Sequence, residues 1–204
     1  MKVSCIVLAG GQSTRLGRNK LAEIIGGKTL LQRVVDALSL LNSEIIIVAP
    51  RPNSLPEIVC NSPSRLIRDI HPGKGTLSGI YTGLAFSHSL YNLVVAADMP
   101  FLNVNLVQYM LDIAAGVDLV AYREGDRFEP LHAVYSRNCM TGLEVLLKRS
   151  PLRIIEILPF VKIRYLALEE IRRFDPQHLS FFNINTEEDL QKARHIVETG
   201  ALNQ

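Results

Sequence analysis

The chain has 204 residues, 48% of them hydrophobic and 21% charged, and carries a net charge of +2 from 22 basic and 20 acidic side chains. That length suits one domain, or a domain with a small lobe, able to bury about 70% of its unfolded surface without a disulfide or metal staple. The near-neutral balance leaves no footprint for nucleic acid or an anionic membrane.

Cys5, Cys60 and Cys139 are odd in number, widely spread and form no Cys-x-x-Cys pair, which argues against a disulfide framework and a structural zinc site. Cys5 reads as a small core residue. A strand begins within three residues of Met1, no signal-peptide pattern precedes it, and no apolar run reaches the ~18 residues of a membrane span. A reducing cytoplasm is therefore the expected location.

Taken in order, apolar residues 3–7 form a first buried strand, followed by a glycine-rich loop at 8–20. Residues 29–41 have helical spacing in Leu30, Val34, Leu38 and Leu41, and 43–49 form a second buried strand. Turn-rich loops at 51–56 and 61–64 lead to a shorter strand at 65–70. A helix over 77–89, with Ile80, Leu84 and Phe86 inward, precedes a strong strand at 92–97. A helix at 105–115 and a strand at 117–122 follow. The second half is more mixed: a strand at 131–136, a helix at 139–148, a strand at 162–168, a short final strand at 181–184 and a terminal helix at 187–199. Thr186 is placed to cap that last helix, and Glu187, Glu188 and Asp189 suit its positive end. Strand–helix alternation with near-continuous apolar strands predicts an α/β fold of three layers around a mostly parallel sheet. We read 1–204 as a single domain of two halves, at about 1–100 and about 101–204.

Ligands in such sheets bind beyond the carboxyl ends of the strands. The loop Leu8-Ala9-Gly10-Gly11-Gln12-Ser13-Thr14-Arg15-Leu16-Gly17-Arg18-Asn19-Lys20 falls at one such end. Glycines without a Cβ let backbone N–H groups approach phosphates, and Arg15 and Lys20 bring positive charge. The spacing is neither a Walker A loop nor GxGxxG. Asp98 falls at another strand end, before Met99-Pro100, where a carboxylate is placed to hold Mg²⁺ over bound phosphates. Asp69 ends the strand at 65–70. Its carboxylate suits the adjacent donors of guanine or a ribose hydroxyl, or else pairs with Arg68 or Arg65 at the surface. No Ser/His/Asp or Cys/His arrangement for nucleophilic catalysis stands out.

The loop resembles the signature of nucleotidyltransferases that join an NTP to a phosphorylated acceptor. Its Leu-Ala-Gly-Gly form, with Arg15 and a Lys ten residues after Gly10, is most similar to the molybdenum cofactor guanylyltransferases, the MobA family. Three further elements carry the resemblance. Gly75-Thr76-Leu77-Ser78-Gly79 is similar to the Gly-Pro-Leu-Ala-Gly segment near the nucleotide base, with Thr76 for proline and Ser78 for alanine. Pro130-Leu131-His132-Ala133-Val134-Tyr135 resembles an acceptor wall, and Asn183-Ile184-Asn185-Thr186 the family's Asn-x-Asn-Thr element.

The resemblance implies a Rossmann-like nucleotide-diphospho-sugar transferase fold. It also implies Mg²⁺-dependent transfer of GMP from GTP to the terminal phosphate of the molybdopterin cofactor, with release of pyrophosphate. It assigns Arg15, Lys20 and Asp98 to catalysis, and Leu8, Ala9, Gly10, Gly11, Lys20, Asp69, Gly75, Gly79 and Asp98 to the nucleotide, with Asp98 on the metal. His132, Asn183 and Asn185 face the acceptor, although His132 serves equally as a hydrogen-bonded structural residue and Asn185 as a cap. Molybdoenzymes or cofactor-insertion proteins are the implied partners, and a monomer is the expected state. Close relatives with Leu-Ala-Ala-Gly include cytidylyltransferases; Gly10-Gly11 would leave a purine room that an alanine methyl would crowd. Two other readings are carried: a cytidylyltransferase acting on molybdopterin or a sugar or polyol phosphate, separated by base selectivity, and a GTP-binding carrier without transfer, separated by binding without turnover.

Overall fold

The computed structural model describes residues 2–10, 18–125, 127–149 and 153–200. Its centre is a seven-stranded sheet in the order β5-β4-β1-β6-β8-β7-β9. The strands are β1 (Val3–Leu8), β4 (Glu44–Ala49), β5 (Ser64–Arg68), β6 (Tyr91–Ala96), β7 (Leu119–Glu124), β8 (Arg127–Ser136) and β9 (Ile163–Leu166), and β2 (Ile24–Ile25) and β3 (Lys28–Thr29) form a separate small hairpin. β1 pairs in parallel with β4 and β6, as do β4 with β5 and β7 with β9. Only β8 runs against its neighbours, β6 and β7.

Alternation along β1 shows why three layers form. Cys5 and Val7 face a core shared with α1 (Leu30–Ser39) and α3 (Val104–Asp112). Ile6 and Leu8 face the opposite core, with α2 (Gly75–Phe86) and α4 (Cys139–Leu147). Period-two side chains buried on both sides are what a helix-covered sheet requires. Burial pushes the Cys5 thiol up to about 12, as expected of a core residue. α2 lies unusually close to β1, since a Cβ on Gly83 would stand 2.4 Å from Ile6 Cγ2 and one on Gly79 would stand 3.2 Å from Leu8. A third, smaller core joins the β2–β3 hairpin to α6 (Glu187–Glu198) through Ile25, Leu30, Phe101, Ile184 and Leu190.

Most predicted elements are present within a few residues of their expected ends. Thr29, Asn103 and Thr186 each cap a helix through a side-chain oxygen, and Thr186 forms a reciprocal capping box with Asp189. Two expectations need correction, and two further elements are additions to the predicted set. Residues 181–184 are not a strand: a 3₁₀ turn at Leu179–Phe181 leads into an extended segment whose Ile184 N–H donates to the Asp98 carbonyl at 3.1 Å. Phe86 is not inward but 38% exposed, at the end of α2. The β2–β3 hairpin, which no period reveals over two-residue strands, turns on Gly26 and Gly27, both at positive φ (56° and 78°). α5 (Leu168–Arg172), a single short helix after β9, was likewise not expected.

Candidate active site

A cleft with a cavity volume of about 1380 Å³ opens at the carboxyl ends of β1, β4, β5 and β6. Backbone hydrogen bonds carry the ladder one step past the strands and fix these ends. Ala9 N–H donates to Val48 at 2.8 Å, Ala97 N–H to Leu8 at 3.1 Å, and Asp69 N–H to Ala49 at 3.0 Å. Leu8, Ala9, Gly10, Lys20, Asp69, Gly75, Gly79, Asp98, Asn183 and Asn185, all singled out from the sequence, line this one cleft. Gly11 and Arg15 lie outside the described residues.

Lys20 begins a 3₁₀ turn (Lys20–Ala22) capped by the Asn19 side chain, which also donates to the Ser54 carbonyl at 2.8 Å. Its ammonium forms an ion pair with Asp98 Oδ2 and reaches the Ile184 carbonyl and Asn185 Oδ1, each at 3.3 Å. Three oxygens from two distant parts of the chain, Asp98 and the Ile184-Asn185 pair, thus converge on one cation. Asp98 Oδ1, the other carboxylate oxygen, is buried without a hydrogen-bond partner. A bare anionic oxygen beside a carboxamide and a backbone carbonyl is a donor set for a hard divalent cation. Among the described residues no three His, Cys, Asp or Glu side chains cluster. Mg²⁺ does not require such a cluster, since it commonly takes one or two carboxylates and completes its shell with water and substrate phosphates.

Asn183 and Asn185 separate here. Asn185 Oδ1 meets Lys20, whereas the Asn183 carboxamide donates to the Phe181 carbonyl at 3.4 Å. The Asn185 N–H is taken up by Asp189 Oδ2 at 3.0 Å, so Asn185 serves both the cleft and the start of α6.

At the other end of the cleft, Asp69 is buried and pairs with neither Arg68 nor Arg65; Arg65 instead bonds Glu44 Oε1 at 2.7 Å. Asp69 Oδ1 accepts from His71 N–H at 3.1 Å, from the Thr82 hydroxyl at 3.0 Å and from the Ser78 hydroxyl. Gly73 and Gly75, at φ +92° and +63°, make the turn between β5 and α2. Gly79 lets the helix close onto Leu8. A Cβ on Gly10 would stand 3.2 Å from Pro50 Cδ, on the wall of the cleft.

His132 is not brought to the cleft. Its ring is fully buried, stacked on Phe181 with centroids 4.7 Å apart. Nδ1 lies 3.1 Å from the Ser180 carbonyl, which can only accept, so Nδ1 carries the proton and the buried Nε2 is left without a partner. Burial pushes its pKa down to about 4, so the ring is neutral near pH 7. Ser180 is held further by Asp175, which accepts from Leu179 N–H at 3.0 Å and Ser180 N–H at 2.8 Å, while the Ser180 hydroxyl accepts from Asn103 N–H at 3.0 Å. These anchors seat the segment 179–185 that delivers Ile184 and Asn185 to Lys20. Sequence reasoning missed Ser180, Asp175, Ser78 and Thr82, because nothing local marks a buried hydroxyl or carboxylate as a partner of a distant segment.

The sequence profile of the MobA-like NTP transferase domain matches residues 5–159, three quarters of the chain. The chain belongs to this family. A probable molybdenum cofactor guanylyltransferase of Pelotomaculum thermopropionicum is 33% identical over 97% of this chain and 95% of that protein. A molybdenum cofactor guanylyltransferase of Desulfosudis oleivorans is also 33% identical, over 98% of each chain. Among solved structures, the molybdopterin-guanine dinucleotide biosynthesis protein A of Archaeoglobus fulgidus superposes with a TM-score of 0.81 at 28% identity, covering 96% of this chain and 99% of that one. Family and fold together make the chain a nucleotidyltransferase with a Rossmann-like, mostly parallel sheet.

Proposed function

We propose that this protein transfers GMP from GTP to the terminal phosphate of molybdopterin-bound molybdenum, forming the guanine dinucleotide cofactor and releasing pyrophosphate. The carrying observation is the convergence of Lys20, Asp98, Ile184 and Asn185 at the strand ends, in a chain whose near-full-length relatives bear that activity in their names. The half at about 1–100 supplies the nucleotide side of the cleft, and the half at about 101–204 the acceptor side.

In the reaction an oxygen of the acceptor phosphate bonds to the α-phosphorus as the bond to the β-phosphate bridging oxygen breaks. Attacking and leaving groups are both anionic, so alignment and charge screening are the principal tasks and no general base is needed. Asp98, with Asn185 and the Ile184 carbonyl, would hold Mg²⁺. An ion held there would supply charge neutralisation to the reacting phosphates. Lys20 exchanges its carboxylate partner for phosphate oxygens and stabilises charge on the α-phosphate and the departing pyrophosphate. Arg15 and the backbone N–H groups of 10–14 complete the phosphate cradle. Asp69, Gly75 and Gly79 take the nucleoside end. His132 holds the 179–185 segment rather than meeting the acceptor, which leaves Asn185, and Asn183 beside it, at the acceptor edge.

Among the described residues no helix is long and apolar enough to cross a membrane; the cytoplasm is proposed as the location from the biosynthetic enzymes to which the chain is similar. The test is to supply α-labelled GTP or CTP, Mg²⁺ and molybdopterin-bound molybdate. Label passing from GTP to the pterin establishes the reading. Label from CTP moves the protein to cytidylyl transfer, and GTP binding without transfer makes it a carrier.

A further inference from the structure

Asp69 is more constrained than a ligand-facing carboxylate needs to be for its own stability. Ser78 and Thr82, one turn apart on α2, are both fully buried, and both hydroxyls turn toward the same oxygen, Oδ1. Thr82 Oγ1 also accepts from Ile70 N–H at 3.2 Å, which commits its single proton to Asp69. With His71 N–H, three donors fill Oδ1, and among the described residues Oδ2 receives no hydrogen bond. Asp69 lines the cleft beside Pro72, Gly73, Gly75 and Thr76, a wall of apolar and backbone surface suited to a planar base and its ribose.

We infer that Ser78 and Thr82 are positioning residues for nucleoside recognition: by saturating one oxygen of Asp69 they fix the carboxylate and present its other oxygen alone to a donor on the bound nucleoside. This rests on the guanylyltransferase reading and deepens it. One consequence is that Asp69 does not clamp guanine with both oxygens; a single oxygen meets either the N1–H and amino edge of the base or a ribose hydroxyl. Another is that Ser78, where the resembled segment has alanine, adds a donor that the segment lacks.

The experiment measures binding of GTP and of tripolyphosphate to the full chain by calorimetry. Ser78→Ala and Thr82→Val are each expected to weaken GTP by about tenfold, the size of one lost charge-assisted hydrogen bond, and to leave tripolyphosphate unchanged. Thr82→Ser should restore GTP affinity, and Ser78→Ala should have no further effect on GTP in an Asp69→Ala background. Repeating Ser78→Ala with ITP and 2′-deoxy-GTP locates the donor: the effect vanishes with ITP if it is the amino group, with 2′-deoxy-GTP if it is the 2′-hydroxyl, and persists with both if it is N1–H or the 3′-hydroxyl. Equal losses of GTP and tripolyphosphate would reduce Ser78 and Thr82 to fold-keeping groups and overturn the inference. GTP binding indifferent to both Ser78→Ala and Thr82→Val would overturn it while leaving the proposed function standing. Failure of the wild type to bind GTP at all would overturn both.

Discussion

Two aspartates, Asp69 and Asp98, end parallel strands on opposite sides of β1 and face the same cleft, yet their surroundings differ in kind. Asp69 Oδ1 has three donors from its own crossover, all within thirteen residues. Asp98 has one ionic partner, Lys20, seventy-eight residues away, and a buried oxygen with none. The first carboxylate is built into the fold and offers what is left over. The second is left under-coordinated in a place where low dielectric makes that costly. A strand-end position makes an aspartate available, and its partners decide whether it organises the protein or awaits a cation and phosphates.

The contrast is tested most strongly at Asp98. Asp98→Ala should lower guanylyl transfer by about a thousandfold or more, since positioned charge is the dominant resource of phosphoryl chemistry. Its thermal midpoint should stay close to wild type, because the substitution removes an unsatisfied buried oxygen while Lys20 keeps Ile184 and Asn185. A variant that unfolds with its activity would place Asp98 in the structural class and break the comparison. Lys20→Met should follow, with transfer reduced about a hundredfold. Lys20→Arg is expected not to rescue it, since a planar fork does not replace a compact ammonium among three oxygens. Full activity in Lys20→Arg would show that only net charge matters there.

Asp69→Ala should behave in the opposite way. It strands two fully buried hydroxyls and a backbone N–H, and a stability loss of about 2–3 kcal/mol is expected in urea titration, together with weakened GTP binding. Weakened GTP with unchanged stability would mean that the three donors find other partners, and the two aspartates would then be alike.

These differences set how much was legible beforehand. Strand ends with a Gly pair, a Lys and an Asp were visible as chemistry, because β1, β4 and β6 are continuous apolar runs whose boundaries are sharp. The capping of α6 was visible because Thr186 and Asp189 act over three residues. Invisible were interactions between segments far apart: His132 with Ser180, Asn103 with Phe174, the Ile184 N–H with Asp98. Phe181-Phe182-Asn183-Ile184 has the composition of a strand, but its apolar side chains are spent on packing and its backbone on anchoring, so no ladder forms. The β2–β3 hairpin did carry a signal, the Gly26-Gly27 pair between short apolar and polar flanks, which is a known two-residue turn chemistry.

The last prediction separates the two ends of the cleft by pH. His132 has a native pKa of about 4, below the ~6.5 of an exposed imidazole, because burial disfavours its charged form. Between those values the unfolded chain holds a proton that the native chain does not, so stability rises with pH across that window and falls as acid is added. Above about pH 6.5 both states are neutral and His132 contributes nothing to the slope. At pH 5 the expected penalty is about 2 kcal/mol relative to pH 7. His132→Gln should be less stable than wild type at pH 7 but should lose about 2 kcal/mol less on going to pH 5. Because Phe181 and Ser180 seal the ring under 179–185, an opening of that segment that lets Nε2 take up a proton costs less at pH 5 than at pH 7, and amide protection there should fall while that of Ser78 to Thr82 persists. Equal pH dependence of wild type and His132→Gln would show that the imidazole does not report on the segment. Parallel loss of protection at both ends would show that the segment carrying Asn185 and the helix holding Asp69 open as one unit.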